Sequence, residues 1–185
     1  MLIANIRKGL LFEMDNGLVH IYCGDGKGKT TAAAGLAVRA LGTGKKVLFS
    51  QFLKNGSSGE VEMLKKLGAC VMYEFKINKF TFNMTDDEKA ECLKANNRLL
   101  SKIIEDAAYY DLIVLDEIIG TCGCGLVSTE KLMAFLKKRP HNVEIVLTGR
   151  NPSPELCGEA DYITEMKKVA HPYEKGIPAR KGIEF

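Results

Sequence analysis

The hydrophobic positions fall into short apolar runs separated by longer helical patterns. The runs at 18–23 (LVHIYC), 46–52 (KVLFSQF), 69–75 (ACVMYEF), 111–117 (DLIVLDE) and 143–150 (VEIVLTGR) read as strands, with a last strand near DYITEM at 161–166. Between them, 29–42 (KTTAAAGLAVRALG) reads as a helix stopped by Gly42 and Gly44, and 59–68 as a shorter one. The longest helical pattern is 85–110. Thr85 and Glu88 form a capping box there, and Ala90, Leu93, Asn97, Leu100, Ile104 and Ala107 share one stripe. A helix over 128–139 has Ser128 as N-cap and Pro140 as stop, and a short helix is expected near PSPELCGEA. Strands alternating with helices, with the strands almost continuously apolar, predict an α/β fold: one parallel sheet covered by helices on both faces. Ligands on such sheets bind at the carboxyl ends of the strands. The glycine loop after the first strand, QFLKNGSSG, DEIIG and TGRNPSP all follow strands and are the functional candidates.

The first of these stretches, YCGDGKGKTT, is close to the phosphate-loop pattern G-x-x-x-x-G-K-[ST]. Gly28, Lys29 and Thr30 fit its end, but Cys23 stands where the first glycine belongs and Gly24 comes one residue late. Glycines let backbone N–H groups turn toward phosphate oxygens, and a helix then presents its N-terminus to the anion. A strand before the loop and a helix after it supply the context a phosphate loop requires. Lys29 would place a charge on the phosphates and Thr30 a hydroxyl on Mg²⁺. DLIVLDE supplies the complementary acid at a strand end, with Asp116 and Glu117 both candidates for the metal. Arg150, after another strand, is either a polyphosphate clamp or a surface arginine without a partner.

Composition narrows the field. The chain has 185 residues, suited to a single domain, with 46% hydrophobic and 26% charged residues. Its net charge of +3, from 26 basic and 23 acidic residues, is too balanced to suggest nucleic acid or an anionic membrane as partner. No apolar run approaches the ~20 residues of a spanning helix. The first 17 residues carry charges at Arg7, Lys8, Glu13 and Asp15 and do not read as a signal peptide, so a cytoplasmic location is expected. The six cysteines include no C-x-x-C pair and read as free thiols, Cys122 and Cys124 alone making only half a zinc site. Phe80 and Phe82 alternate with polar residues before the long helix, by default a segment pinned to the core. The tail at 169–185, with His171, Tyr173, Arg180 and Phe185 among turn formers, is either disordered or a loop closing a site.

Together these pieces resemble the ATP:corrinoid adenosyltransferases. GDGKGKTTAA, QFLKNG, VLDEI, TGRNPSPELCGEADYITEM and HPYEKGIPARKGIEF are similar to that family's motifs, and the last two are far more specific than a phosphate loop. Asp25 replaces the family's usual Asn, Arg180 its usual Gln, and IIGTCGCGLVS departs from its pattern. The resemblance implies a phosphate-loop fold of the RecA-like kind over residues 1–185, with 1–17 a variable N-terminal segment and 169–185 a tail near the active site. It implies that Co(I) of cobalamin or cobyrinic acid a,c-diamide attacks the 5′ carbon of ATP and tripolyphosphate leaves. It implies that Gly24, Asp25, Gly26, Lys27, Gly28, Lys29, Thr30, Thr31, Arg150 and His171 contact the nucleotide, that Thr30 with Asp116 or Glu117 binds Mg²⁺, and that Lys29 is catalytic. Phe80 and Phe82 fall where the family carries aromatics that crowd out cobalt's lower axial ligand. A flavoprotein reductant and a homodimer are further implications. The competing readings are a RecA-like ATPase or kinase acting on the γ-phosphate and a nucleotide-binding module without chemistry.

Overall fold

Every strand in the described part of the chain lies parallel to its neighbours, in one sheet. The computed structural model describes residues 16–54, 56–74 and 81–184. In chain order the elements are β1 (Val19–Cys23), α1 (Lys29–Gly42), β2 (Val47–Gln51), α2 (Gly59–Lys66), β3 (Cys70–Met72), α3 (Asp86–Asp106), β4 (Leu112–Asp116), α4 (Ile118–Gly123), α5 (Thr129–Lys138), β5 (Glu144–Thr148), α6 (Pro154–Cys157) and β6 (Tyr162–Glu165). The strand order is β3-β2-β4-β5-β1-β6.

Alternation along the central strands sorts the core into two layers. Leu112 and Val114 of β4, with Val47 and Phe49 of β2, pack under Ala33, Ala34, Ala37 and Ala40 of α1. Ile113 and Leu115 of β4, with Ile145 and Leu147 of β5, face the opposite way onto Leu100 and Ile103 of α3 and Leu132 and Leu136 of α5. The alanine face of α1 gives that helix a flat side to lay on the sheet. The result is the three-layer arrangement expected from the sequence. β6, at one edge, is exposed at every position.

The caps form as expected. Thr85 accepts from the Glu88 amide (3.3 Å), and Glu88 accepts from the Thr85 amide (2.9 Å). The Ser128 hydroxyl accepts from the Lys131 amide (3.1 Å).

Four details differ from the sequence reading. The buried face of α3 is Cys92, Asn96, Leu99, Leu100 and Ile103, continued by Ala107, whereas Ala90 and Leu93 are exposed. Asn96 belongs to the buried face because its amide donates to the Leu126 carbonyl (2.9 Å), so a polar residue holds a core position that hydrophobicity alone assigns elsewhere. α3 also stops at Asp106 and gives way to a single 3₁₀ turn, Ala107–Tyr109. Next, α4 forms where a loop was expected. IIGTCG has no helical period, and the helix is started by Glu117 in the left-handed region (φ 64°) and held by burial of Ile118 and Ile119. β3 is confined to three residues of the expected 69–75 run, and Phe75 lies outside the described residues.

Candidate functional site

The site is built at the carboxyl ends of β1, β2, β4 and β5. The loop after β1 runs from Gly24 to Gly28, and Lys29 opens α1. Gly28 is the N-cap of α1 in the left-handed region (φ 116°) and makes no side-chain cap, so the helix start is built of backbone alone. Lys29 is buried and its ammonium turns back into the loop, donating to the carbonyls of Gly24 (2.8 Å) and Gly26 (2.7 Å). Two of its three protons are thus used in shaping the loop, and burial lowers its pKa. Thr31 sits exposed on the first turn of α1.

Why this loop needs glycine at 24 and 26 is a matter of backbone approach. β1 and β6 pair through Cys23 and Glu165, and the pairing continues into the loop: Met166 donates to the Cys23 carbonyl (2.8 Å) and Gly26 donates to the Met166 carbonyl (2.7 Å). A Cβ at Gly24 or Gly26 would lie 2.5 or 2.6 Å from the Met166 oxygen. Asp25 completes the tie by accepting from the Lys168 amide (2.9 Å), which lowers its pKa. The acid within the loop is therefore turned outward, onto the chain leaving β6. Lys27 donates to the Ile183 carbonyl (2.7 Å), which brings the C-terminal tail against the loop. His171 accepts from the Tyr173 amide (3.2 Å) at the head of a 3₁₀ turn, Pro172–Lys175, and the tail is further organised by the pairs Lys168–Glu174 and Arg180–Glu184.

Asp116, at the end of β4, is completely buried and receives hydrogen bonds from four side chains. Its Oδ1 accepts from the Thr30 hydroxyl of α1 (2.8 Å) and the Thr148 hydroxyl of β5 (2.7 Å). Its Oδ2 accepts from the Lys54 ammonium (2.8 Å), with the Gln51 amide at 3.4 Å. Lys54 also donates to the Thr30 hydroxyl (3.2 Å). Burial pulls the Lys54 pKa down, but Asp116 outweighs it and the net shift is upward. A carboxylate, a threonine hydroxyl and a cation already lodged between them are the chemistry of a cation-binding position, so the residues expected to hold a divalent metal fit one.

Glu117 meets this cluster through its backbone. Its amide donates to the Thr148 hydroxyl (2.9 Å). Burial first, and the Asp116 charge second, raise the pKa of its carboxyl, against the pull of Lys54, Lys29 and Arg150. A carboxyl whose pKa rises on folding contributes stability that is complete below its unfolded value and is lost as pH rises through the folded one. Glu117→Gln is therefore expected to raise the Tm at pH 7 and to lose that advantage at about pH 4 and below. A pH series of thermal melts in which the two proteins differ equally at every pH contradicts the assignment.

Arg150 is exposed just beyond β5, and its charge acts on Lys29, Asp25 and Glu117. The structure thus brings Gly24 to Thr31, Asp116, Glu117 and Arg150 together at one end of the sheet. Phe80 lies outside the described residues, and Phe82 falls in a 3₁₀ turn, Thr81–Asn83, ahead of α3. Sequence reasoning left out Lys54, Gln51 and Thr148. QFLKNG was singled out by its place after a strand and by its likeness to a family motif, and these were the available signals for Lys54.

Comparison with known proteins bears on this site. The family model described as ATP:corrinoid adenosyltransferase BtuR/CobO/CobP matches residues 15–185. A corrinoid adenosyltransferase of Pseudomonas aeruginosa is 33% identical over 174 residues, covering 92% of this chain and 85% of that protein. One from Escherichia coli is 31% identical with 92% and 87% covered, and one from Salmonella typhimurium 30% identical with 94% and 88% covered. Among solved structures, the flagellar accessory protein FlaH of Methanocaldococcus jannaschii superimposes with a TM-score of 0.54 at 16% identity, covering 87% of this chain and 76% of that one. The RadB recombinase gives 0.51 at 16% identity, covering 90% and 82%. These two likenesses bear on the fold alone, which is the phosphate-loop, RecA-like α/β class.

Proposed function

The chain belongs to the ATP:corrinoid adenosyltransferase family and is a transferase, and from that premise we propose that it moves the 5′-deoxyadenosyl group of ATP onto the Co(I) of cobalamin or cobyrinic acid a,c-diamide. The cobalt electron pair attacks the ribose 5′ carbon. The new Co–C bond forms as the C–O bond to the α-phosphate breaks, and tripolyphosphate departs with that bond's electrons. The observation that carries this reading is the pairing of a glycine loop with the Thr30–Asp116 contact across α1 and β4, in a chain whose family match spans the same residues.

The roles follow from position. The loop from Gly24 to Gly28, with Thr31, holds the triphosphate through the start of α1 and the backbone N–H groups other than that of Gly26, which donates to Met166. Lys29 has one proton left for a phosphate oxygen after its two loop carbonyls, and it stabilises the charge that develops as the triphosphate leaves. Arg150 and His171 border the nucleotide from the β5 end and the tail. Thr30 and Asp116, with Glu117 beside them, would hold Mg²⁺, which when bound supplies positive charge to the leaving group. Asp25 keeps its carboxylate away from the phosphates by its bond to Lys168. Phe80 and Phe82 crowd the lower face of the corrinoid, a role that rests on the family resemblance. A cytoplasmic homodimer fed electrons by a flavoprotein completes the proposal.

Incubation with ATP, Mg²⁺ and chemically reduced cobalamin is expected to yield adenosylcobalamin and tripolyphosphate. ADP and orthophosphate in their place would favour a γ-phosphate ATPase and overturn the reading. Phe82→Ala is expected to impair turnover from Co(II) with a weak reductant far more than turnover from preformed Co(I). Equal losses in the two assays remove the axial-ligand role.

A further inference from the structure

Lys54 lies between Asp116 and Thr30, the residues read above as the metal position, and it is held there from both sides. Its ammonium lies 2.8 Å from Asp116 Oδ2 and 3.2 Å from Thr30 Oγ1, and those two residues are themselves 2.8 Å apart through the other carboxylate oxygen. Asp116 is completely buried, and a buried carboxylate needs a positive partner. The two threonine hydroxyls and the Gln51 amide give it hydrogen bonds but no compensating charge. Of the other lysines of the site, Lys29 spends its bonds on the carbonyls of Gly24 and Gly26 and Lys27 donates to the Ile183 carbonyl.

The backbone is arranged to deliver this side chain. Phe52 is fully buried and its amide donates to the Asp116 carbonyl (2.9 Å), extending the β2–β4 pairing by one residue. Leu53 then takes a left-handed conformation (φ 57°), which an L-residue with a branched side chain adopts only when its surroundings hold it there. Its side chain packs on Met84, Cys92 and Leu126. The turn so made points Lys54 back over the end of β4. Unlike Asp116, the Lys54 side chain is 32% exposed, so it has a route to solvent on a long flexible stem.

We propose that Lys54 is the internal counter-ion of this site: it occupies the cation position between Asp116 and Thr30 in the ligand-free chain, resists free divalent ions there, and yields that position to a metal arriving with its nucleotide. The proposal rests on the reading of Thr30 and Asp116 as metal-binding residues. Its physical content is a charge exchange. A bare divalent ion must expel an ammonium that then exchanges its contact with Asp116 for the longer-range pull of Glu117 and Glu60 alone. A metal carried on a triphosphate brings anionic oxygens that accept the displaced ammonium, so metal and nucleotide bind together. Lys54 acts through Asp116 and Thr30 and is a positioning residue in this sense.

Mn²⁺ is the probe, with the free ion counted by electron paramagnetic resonance in titrations of the full chain with and without ATP. Lys54→Met keeps the length and removes the charge. Without ATP it is expected to bind Mn²⁺ about tenfold more tightly than the unaltered chain, because one positive charge has left hydrogen-bond range of the metal's carboxylate. With ATP the gap is expected to narrow or reverse. Lys54→Arg, which keeps the charge, should stay as weak toward Mn²⁺ alone as the unaltered chain. The metal-free Met variant should melt lower and recover on adding Mn²⁺, which a merely structural role would not produce. Equal Mn²⁺ affinity of the Met variant and the unaltered chain without ATP, alongside normal binding with ATP, overturns the inference and leaves the metal reading standing. No Mn²⁺ binding in any protein even with ATP overturns both. Should the Met variant fail to fold, the ¹⁵N signal of the Lys54 ammonium in the unaltered chain decides. It should shift sharply on adding Mg²⁺ with ATP and little on adding Mg²⁺ alone, and a signal indifferent to both refutes the exchange.

Discussion

Replacing Asp116 with alanine is expected to lower adenosyl transfer by at least about a hundredfold and to destabilise the fold by about 3 kcal/mol. Two separate losses follow from one substitution. The Thr30 and Thr148 hydroxyls and the Lys54 ammonium all donate to this carboxylate, so its removal leaves buried donors without an acceptor and a part-buried ammonium without a counter-ion. The same carboxylate is the charged group at the proposed metal position. Asp116→Asn separates the two losses: the amide oxygen can still accept from the threonines, so stability falls less, while activity falls as far. Urea denaturation and the adenosylcobalamin assay together test this. A fully stable Ala variant would mean that the network does not hold α1, β2, β4 and β5 in place, and an active one would remove Asp116 from the metal.

Gly26→Ala is expected to weaken ATP binding by about a hundredfold and to cost about 1–3 kcal/mol of stability, the range of an overpacked core site. The new methyl carbon would sit 2.6 Å from the Met166 oxygen and 2.9 Å from the Lys167 carbonyl carbon. Both are backbone atoms, so no side chain can swing aside. The loop must separate from the chain after β6, and with it go the Gly26–Met166 bond (2.7 Å) and the carbonyl seat of Lys29. Gly35→Ala is the control. It lies on α1 with nothing within 4 Å of the added carbon, and alanine there should stabilise the helix by about 0.5–1 kcal/mol. Binding of a fluorescent ATP analogue, with denaturation curves for the three proteins, makes the comparison. Normal ATP affinity in the Gly26 variant would show that the loop does not depend on Met166.

The phosphate loop, the acid after β4 and the parallel order of the strands were legible because each rests on local pattern. Apolar runs of four to six residues mark buried strands, and G-K-T-T after one of them asks for a helix start. Lys54 was not legible as a site residue. A lysine on a loop is by default a solvated charge, and its meaning comes from Asp116 of a strand 62 positions away along the chain. Thr148 was hidden in the same way, as a small polar residue closing an apolar strand. Asp25, which departs from the family's Asn, puts an acid where phosphate should be repelled, and no neighbouring residue shows which way it turns. The answer lies in a backbone amide 143 residues later, which is invisible to any local reading. α4 was missed for a different reason: it begins from a left-handed glutamate and carries two glycines, so propensity argues against it and burial of two isoleucines decides.

The tie between the loop and β6 also gives the two halves of the site unequal anchorage. Asp116 hangs from β4, which has a paired strand on either side. Gly24 to Gly26 lean on Met166 and Lys168, beyond the end of an edge strand exposed along its whole length. Edges of a sheet fray at far lower free energy than its centre. Amide hydrogens of the loop and of 163–168 should therefore exchange with solvent together and early, while those of β4 exchange only near global unfolding. Nucleotide spanning both halves would bring the early group toward the late one. On the proposed reading the triphosphate would be held by a loop that leans on the outermost strand, and the metal by a residue of the sheet's interior.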